Sequence, residues 1–265
     1  DRIGFNAKLE ANLSIALGTF GVSPRDMVST YAIFPNGGRF VTPKAIVSVV
    51  DGDGKKYSVV ESEKDMKIID DKDTSKDSLP AQTGAFTKNL LGTQVYDPRL
   101  AFVMTNIMKG VVTSGTAASA KDLSPNIAGK TGTTNDYVDA WFVGFTSNVV
   151  TGVWTGFDDN KTLGFGETGG RSALPIWKEY MRANIKKYGD QPFEVPAGVI
   201  SQWINKETGL KAAANGPGSI LEYFADANAE FSGSTPQNSP NVNSGTITPT
   251  PKIRSSEGDD EYYNQ

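Results

Sequence analysis

Two runs of aromatic and β-branched residues follow one another with almost nothing between them. Ala140-Trp141-Phe142-Val143-Gly144-Phe145 and Val149-Val150-Thr151-Gly152-Val153-Trp154-Thr155-Gly156-Phe157 are separated by Ser147-Asn148. Such runs favour pleated, extended backbone, and so short a polar break predicts two strands joined by a tight turn. Directly ahead of them, across another polar turn, stands Gly129-Lys130-Thr131-Gly132-Thr133-Thr134. A cation, several hydroxyls and a position without a side chain therefore arrive together at the edge of the predicted strands.

Gly-Lys-Thr also closes the phosphate-loop pattern, but this chain does not complete it. The position five before Gly129 is Ser124, followed by Pro125, so the first glycine is missing and a rigid residue occupies the loop. A phosphate loop must also run into a helix whose N-terminus faces the phosphates, whereas Lys130 runs into strands.

Two absences narrow the chemistry. The 265 residues include no Cys and no His, which excludes thiol nucleophiles, zinc sites built on those ligands and every triad with an imidazole base. Any serine acyl transfer here must take its general base from Lys or a carboxylate. The acidic pair Asp158-Asp159 has no metal-ligand spacing, and neither a metal nor any other cofactor is called for. With 26 basic and 30 acidic residues the net charge is −4, and there is no basic stripe; nucleic acid is not an expected partner. No apolar run reaches membrane-spanning length. The chain opens on Asp1-Arg2-Ile3-Gly4 without a signal peptide, so an export or anchoring segment is expected upstream if the protein works outside the cytoplasm.

Capping signals place the helices. Ser23-Pro24-Arg25-Asp26 reads as a cap, a first-position proline and a first-turn acid, followed by Met27, Val28, Tyr31, Ala32 and Phe34 at helical spacing and a stop at Pro35-Asn36-Gly37-Gly38. Phe40-Val41 with Ile46 to Val50 predicts a strand region, Asp51 to Gly54 its turn and Tyr57 to Val60 its return. Residues 61 to 81, charged and poor in large apolar groups, read as an exposed connection. Asp97-Pro98 opens a second helix with an apolar face of Leu100, Val103, Met104, Ile107, Met108 and Val111, broken at Thr113 to Ala117. Ser172-Ala173-Leu174-Pro175 opens a third, closed by Gly189.

Lys-Thr-Gly is one of three motifs of penicillin-binding proteins and serine β-lactamases, and the likeness extends well beyond it. Leu17-Gly18 through Phe34 and Asn36-Gly37-Gly38, then Ser114 to Ala117, Gly129 to Thr134, Asp139 to Phe145, Val153 to Asp158, and Gly169-Gly170 with Ala173, Pro175 and Trp177 follow one another as they do in the class A, bifunctional penicillin-binding proteins. The chain resembles the C-terminal part of that family's transpeptidase domain. The resemblance implies a mixed α/β (α+β) fold of the penicillin-binding transpeptidase and serine β-lactamase kind, an antiparallel sheet flanked by helices and incomplete at its N-terminal side. It assigns residues 1–190 to this domain and 191–231 to a small β-rich appendage. Residues 232–265, rich in Ser, Thr, Asn, Pro and Gly, read as a disordered low-complexity tail.

The implied activity is peptidoglycan D,D-transpeptidation through a serine acyl-enzyme, open to inhibition by β-lactam antibiotics. The expected partners are stem peptides and β-lactams. The implied site residues are Lys130, Thr131, Gly132 and Thr133. Lys130 supplies charge near a substrate carboxylate, Thr131 and Thr133 supply hydroxyls, the Thr133 N–H is one arm of an oxyanion hole, and Gly132 admits the substrate to the strand edge. No Ser-x-x-Lys occurs in the chain, and the Ser-x-Asn strings Ser124-Pro125-Asn126 and Ser239-Pro240-Asn241 lie too late, so both read as loops. The nucleophile is therefore expected from an upstream part of the same protein, held outside the cytoplasmic membrane by an N-terminal anchor and preceded, as in the family, by a glycosyltransferase domain. A serine β-lactamase-like hydrolase and a non-catalytic wall-binding module remain as alternatives. Asp139 and Trp141 read as structural, Arg171 as solvated, and Trp203 as packing the appendage.

Overall fold

A computed structural model describes residues 18, 20–46, 48–61, 66–70 and 92–226. Helix α1 spans Pro24–Tyr31, and the Ser23 hydroxyl caps it by accepting the Asp26 N–H at 3.1 Å. The helix ends earlier than the spacing of Ala32 and Phe34 predicts. Ile33 and Phe34 donate to the carbonyls three residues back, and Gly38, with φ of 82°, donates to Ile33 at 2.8 Å to reverse the chain. Strand β1 (Arg39–Phe40) then pairs with β5 (Thr93–Gln94).

The strand region expected over Phe40 to Val50 is divided between two sheets. Pro43 interrupts it, β1 joins β5, and β2 (Ser48–Val50) pairs antiparallel with β3 (Lys56–Glu61) around the expected Asp51-to-Gly54 turn. The Asp51 carboxylate ties that turn by accepting the Asp53 and Lys55 N–H groups and the Tyr57 hydroxyl; the Lys55 N–H foremost holds its acid below the usual carboxylate range. The connection expected over 61 to 81 also needs correction. Met66–Asp70 forms β4 on the far side of β3, because three apolar residues among charges suffice for a short edge strand. The rest of that stretch, and the predicted tail, lie outside the described residues.

The central sheet has the order β6-β7-β8, antiparallel throughout, from β6 (Ala128–Thr133), β7 (Asp139–Phe145) and β8 (Val150–Gly156). Its register sorts the side chains. Ala128, Phe145, Val143 and Gly152 lie on one face, towards α1, where a side chain at Gly152 would meet Val28. Phe142 and Gly144 lie on the other, under α3 (Leu174–Tyr188). There Trp177, fully buried, sets its ring edge-on to Phe142 at 5.0 Å and donates its indole N–H to the Thr151 carbonyl at 3.0 Å. A Cβ at Gly144 would come within 2.6 Å of that indole, so the glycine is what seats the helix. The β7–β8 turn closes the far end of α3: the buried Thr146 hydroxyl donates to the Gly189 carbonyl at 3.0 Å and the Asn148 amide to Tyr188 at 2.9 Å.

Helix α2 (Pro98–Thr113) packs along the early half of β6, placing Met108 with Ala128 and Val112 with Ile127. Its outer side receives the hairpin of β9 (Val199–Asn205) and β10 (Ser219–Ala225). Tyr223 meets Phe102 edge-on at 5.2 Å, the Asn106 amide donates to Glu222 at 3.2 Å, and Arg99 donates to the Asp226 carbonyl at 3.2 Å. Asp97 caps α2 and grips Arg99 at 2.6 Å.

Two measurements check this packing. Trp177→Ala removes the largest buried side chain and its hydrogen bond, and is expected to cost about 3–5 kcal/mol in urea unfolding. The Asp97 acid is lowered, chiefly by its hydrogen bond from Arg99. Its contribution is present in full above the ordinary carboxylate value of 3.8 and fades as pH falls through the lowered one. The melting-temperature gap between wild type and Asp97→Asn should therefore be wide at neutral pH and shrink below about pH 4.

Candidate active site

All four residues singled out in the sequence lie on β6, and the strand is buried over Ala128 and Gly129 but open at Lys130 to Thr133. Among the described strands β6 has a neighbour on one side only, β7. The Thr134 N–H donates to the Asp139 carbonyl at 3.0 Å, which sets the phase of the ladder. Antiparallel pairs alternate between bonded and non-bonded, so in the register Lys130↔Val143 and Gly132↔Trp141 the even residues turn their backbone groups towards β7. Thr131 and Thr133 turn theirs outward. The Thr133 N–H expected for an oxyanion hole is thus on the free edge.

Lys130 leaves on the α1 face and bends back to that edge, where its ammonium donates to the Thr131 carbonyl at 2.8 Å. Thr131 and Thr133 leave on the α3 face. The Thr131 and Thr116 hydroxyls are 2.9 Å apart, and the Thr133 hydroxyl accepts the Gly169 N–H at 3.0 Å, leaving its own proton to donate. Gly132 has a reason to be glycine besides substrate access, since a Cβ there would lie 3.2 Å from the Cβ of Trp141.

Gly169 opens a single wide helical turn, Gly169–Ala173, that leads into α3. Its backbone lies against the sheet so closely that a Cβ would fall 2.1 Å from the Trp141 carbonyl and 2.5 Å from that of Gly132. The next residue, Gly170, faces Thr116 and Thr131. Neither Gly169 nor Thr116 was singled out as a site residue in the sequence. The signal for the first was a glycine pair just before a capped helix; for the second it was only the Ser114-to-Ala117 break.

The side residues have local duties. Asp139 accepts the Trp154 indole N–H at 2.8 Å and joins Thr134 in closing the β6–β7 turn, where Asp136 and Tyr137 take left-handed φ of 59° and 55°. Trp141 packs beside Trp154. Arg171 pairs with Glu167 at 3.3 Å and is largely exposed. Ser124 accepts the Asn126 N–H, and Asn126 donates to Asp190, so this Ser-x-Asn string is a turn.

A strand edge bearing an ammonium, outward amides and hydroxyls, with a closing helix on one face, is what the penicillin-binding resemblance leads one to expect, and the chain belongs to that family. Residues 3–182 match the family described as penicillin binding protein transpeptidase domain. Within it the chain falls with the class A proteins. It is 39% identical over 202 residues to penicillin-binding protein 1A of Neisseria gonorrhoeae, covering 76% of this chain and 22% of that protein. It is 33% identical over 250 residues to penicillin-binding protein 1A of Pseudomonas aeruginosa, covering 84% and 30%. The crystal structure of penicillin-binding protein 1A from Haemophilus influenzae superposes with a TM-score of 0.67 at 28% identity, over 88% of this chain and 36% of that one. The PonA1 protein from Mycobacterium tuberculosis, in complex with penicillin V, shares the fold with a TM-score of 0.55 at 21% identity, over 82% and 54%. The chain thus spans between about a fifth and a third of the two curated relatives.

The close seat of Gly169 is open to test. Gly169→Ala must push the turn off β6 and should lower the melting temperature by about 5 °C or more. Gly110→Ala, in α2 with no heavy atom near the added methyl, should leave it unchanged or raise it slightly.

Proposed function

We propose that this chain supplies the Lys-Thr-Gly wall of a D,D-transpeptidase that cross-links peptidoglycan stem peptides outside the cytoplasmic membrane. The observation that carries the reading is the free half of β6, where the Lys130 ammonium, the outward Thr133 N–H and the Thr133 hydroxyl line one edge. A serine from an upstream part of the same protein attacks the D-Ala-D-Ala carbonyl. The C–N bond breaks, D-alanine departs with a proton, and the acyl group is left as a serine ester. An amine of a neighbouring stem then attacks the ester and restores the hydroxyl. β-Lactams acylate the same serine.

Each β6 group has a part in those steps. The Thr133 N–H donates to the oxyanion that develops in both attacks, an interaction that is stronger in the transition state than in the ground state. Lys130 and the Thr133 hydroxyl hold the terminal carboxylate, the latter because its lone pair is already engaged by Gly169. Lys130 also supports proton transfer through the serine of the upstream Ser-x-Asn motif. The stem peptide lies along β6 as an added strand, a mode in which backbone bonds give affinity. The parent protein carries an N-terminal membrane anchor and a glycosyltransferase domain.

Second-order acylation rates with a fluorescent penicillin test this in a full-length protein containing the chain. Lys130→Ala should be slower by about a hundredfold or more, since it removes a charge-assisted contact in a partly desolvated cleft. Thr133→Ala should lose less, because the backbone N–H stays. A Lys130→Ala rate equal to wild type overturns the assignment. Turnover of nitrocefin, in place of a lasting adduct, would favour a hydrolase.

A further inference from the structure

Thr116 lies in the break between α2 and β6, yet its hydroxyl is exposed at the site, 2.9 Å from that of Thr131. The loop that presents it is held from three sides. A Cβ at Gly115 would come 2.8 Å from the Val111 backbone, so the chain doubles back tightly on α2, and the Ala117 N–H donates to the Val111 carbonyl at 3.0 Å. Ala117 and Ala120 are fully buried. From α3, the Lys178 ammonium donates to the Ser119 carbonyl and pairs with Asp122 at 2.8 Å, while Arg182 reaches the same carboxylate at 3.5 Å. A rotatable hydroxyl on so constrained a loop has a fixed place in space.

Two hydroxyls that share one hydrogen bond have one proton between them and one left to donate elsewhere, whichever is the donor. Here the pair includes Thr131, whose own carbonyl holds the Lys130 ammonium. We propose that Thr116 is a positioning residue for recognition of the substrate's terminal carboxylate: by donating to the Thr131 hydroxyl it turns that hydroxyl's own proton outward, on the residue whose carbonyl holds the Lys130 ammonium. That combination suits an anionic end group and is poorly matched to a neutral one. The inference rests on the transpeptidase reading and adds to it a residue outside the Lys-Thr-Gly strand.

The test compares acylation of a full-length protein containing this chain by a β-lactam with a free carboxylate and by its methyl ester. Thr116→Val keeps the shape and removes the hydroxyl. It should reduce the acid-to-ester rate ratio by about tenfold, the scale of one hydrogen bond to a charged group. Thr116→Ser should restore the ratio. Because the effect passes through Thr131, adding Thr116→Val to Thr131→Val should change the ratio no further. An unchanged ratio in Thr116→Val overturns the inference even if both rates fall, since that pattern is loop damage; additive effects in the double variant overturn it as well. A wild-type protein that neither β-lactam acylates overturns the transpeptidase reading itself, and this inference with it.

Discussion

How closely a helix can lie on a sheet decides the geometry of this molecule. Ordinary side chains hold packed layers apart, by roughly 10 Å between stacked sheets, but here the α3 face is thinned by glycine at points of contact. The Trp177 indole occupies the space a Gly144 side chain would need, and Gly129 leaves room for the Phe142 ring. With α3 seated so low, the turn that leads into it touches β6 directly, and the Gly169 N–H reaches the Thr133 hydroxyl. The indole N–H has its partner in the Thr151 carbonyl, so burying the largest side chain of the core leaves no polar atom unsatisfied there.

That seating links a packing core to the site across a few bonds. The α3 face fixes the hydroxyl of Thr133 through Gly169 and the loop of Thr116 through Lys178 and Arg182. The α1 face carries Lys130, whose ammonium curls round the edge to Thr131. One strand therefore offers backbone donors along its rim, a cation from one face and hydroxyls from the other. Rigid neighbours hold most of these groups, which is the arrangement that electrostatic preorganisation demands.

The parts legible in the sequence were those with strong local signals. Ser23-Pro24 and Asp97-Pro98 announced two helix starts, Gly189 a helix end, and the runs on either side of Ser147-Asn148 two strands, all found as read. The four β6 residues were legible as a group because of the motif and its ordered neighbours, and the class A resemblance is borne out by the family match and the named relatives. What stayed hidden depended on distant partners. Nothing local says that Phe40 leaves its neighbours to pair with Thr93, or that Met66 to Asp70 finds β3. Gly169 reads as a helix lead-in until Trp141 and Gly132 are seen beneath it, and Thr116 reads as a helix break until Thr131 is seen 2.9 Å away.

The half-covered rim of β6 has a bearing on solubility. An open strand edge invites another copy to extend the sheet, and proteins commonly guard such edges with charge or shortness. Met108 and Val112 of α2 pack with Ala128 and Ile127 at the start of β6, and beyond them Thr131 and Thr133 turn their backbone groups outward, with the Thr131 carbonyl already engaged by the Lys130 ammonium. Among the described residues, so short an outward run and an ammonium on the rim are the shortness and charge by which such edges are kept from pairing with a second copy.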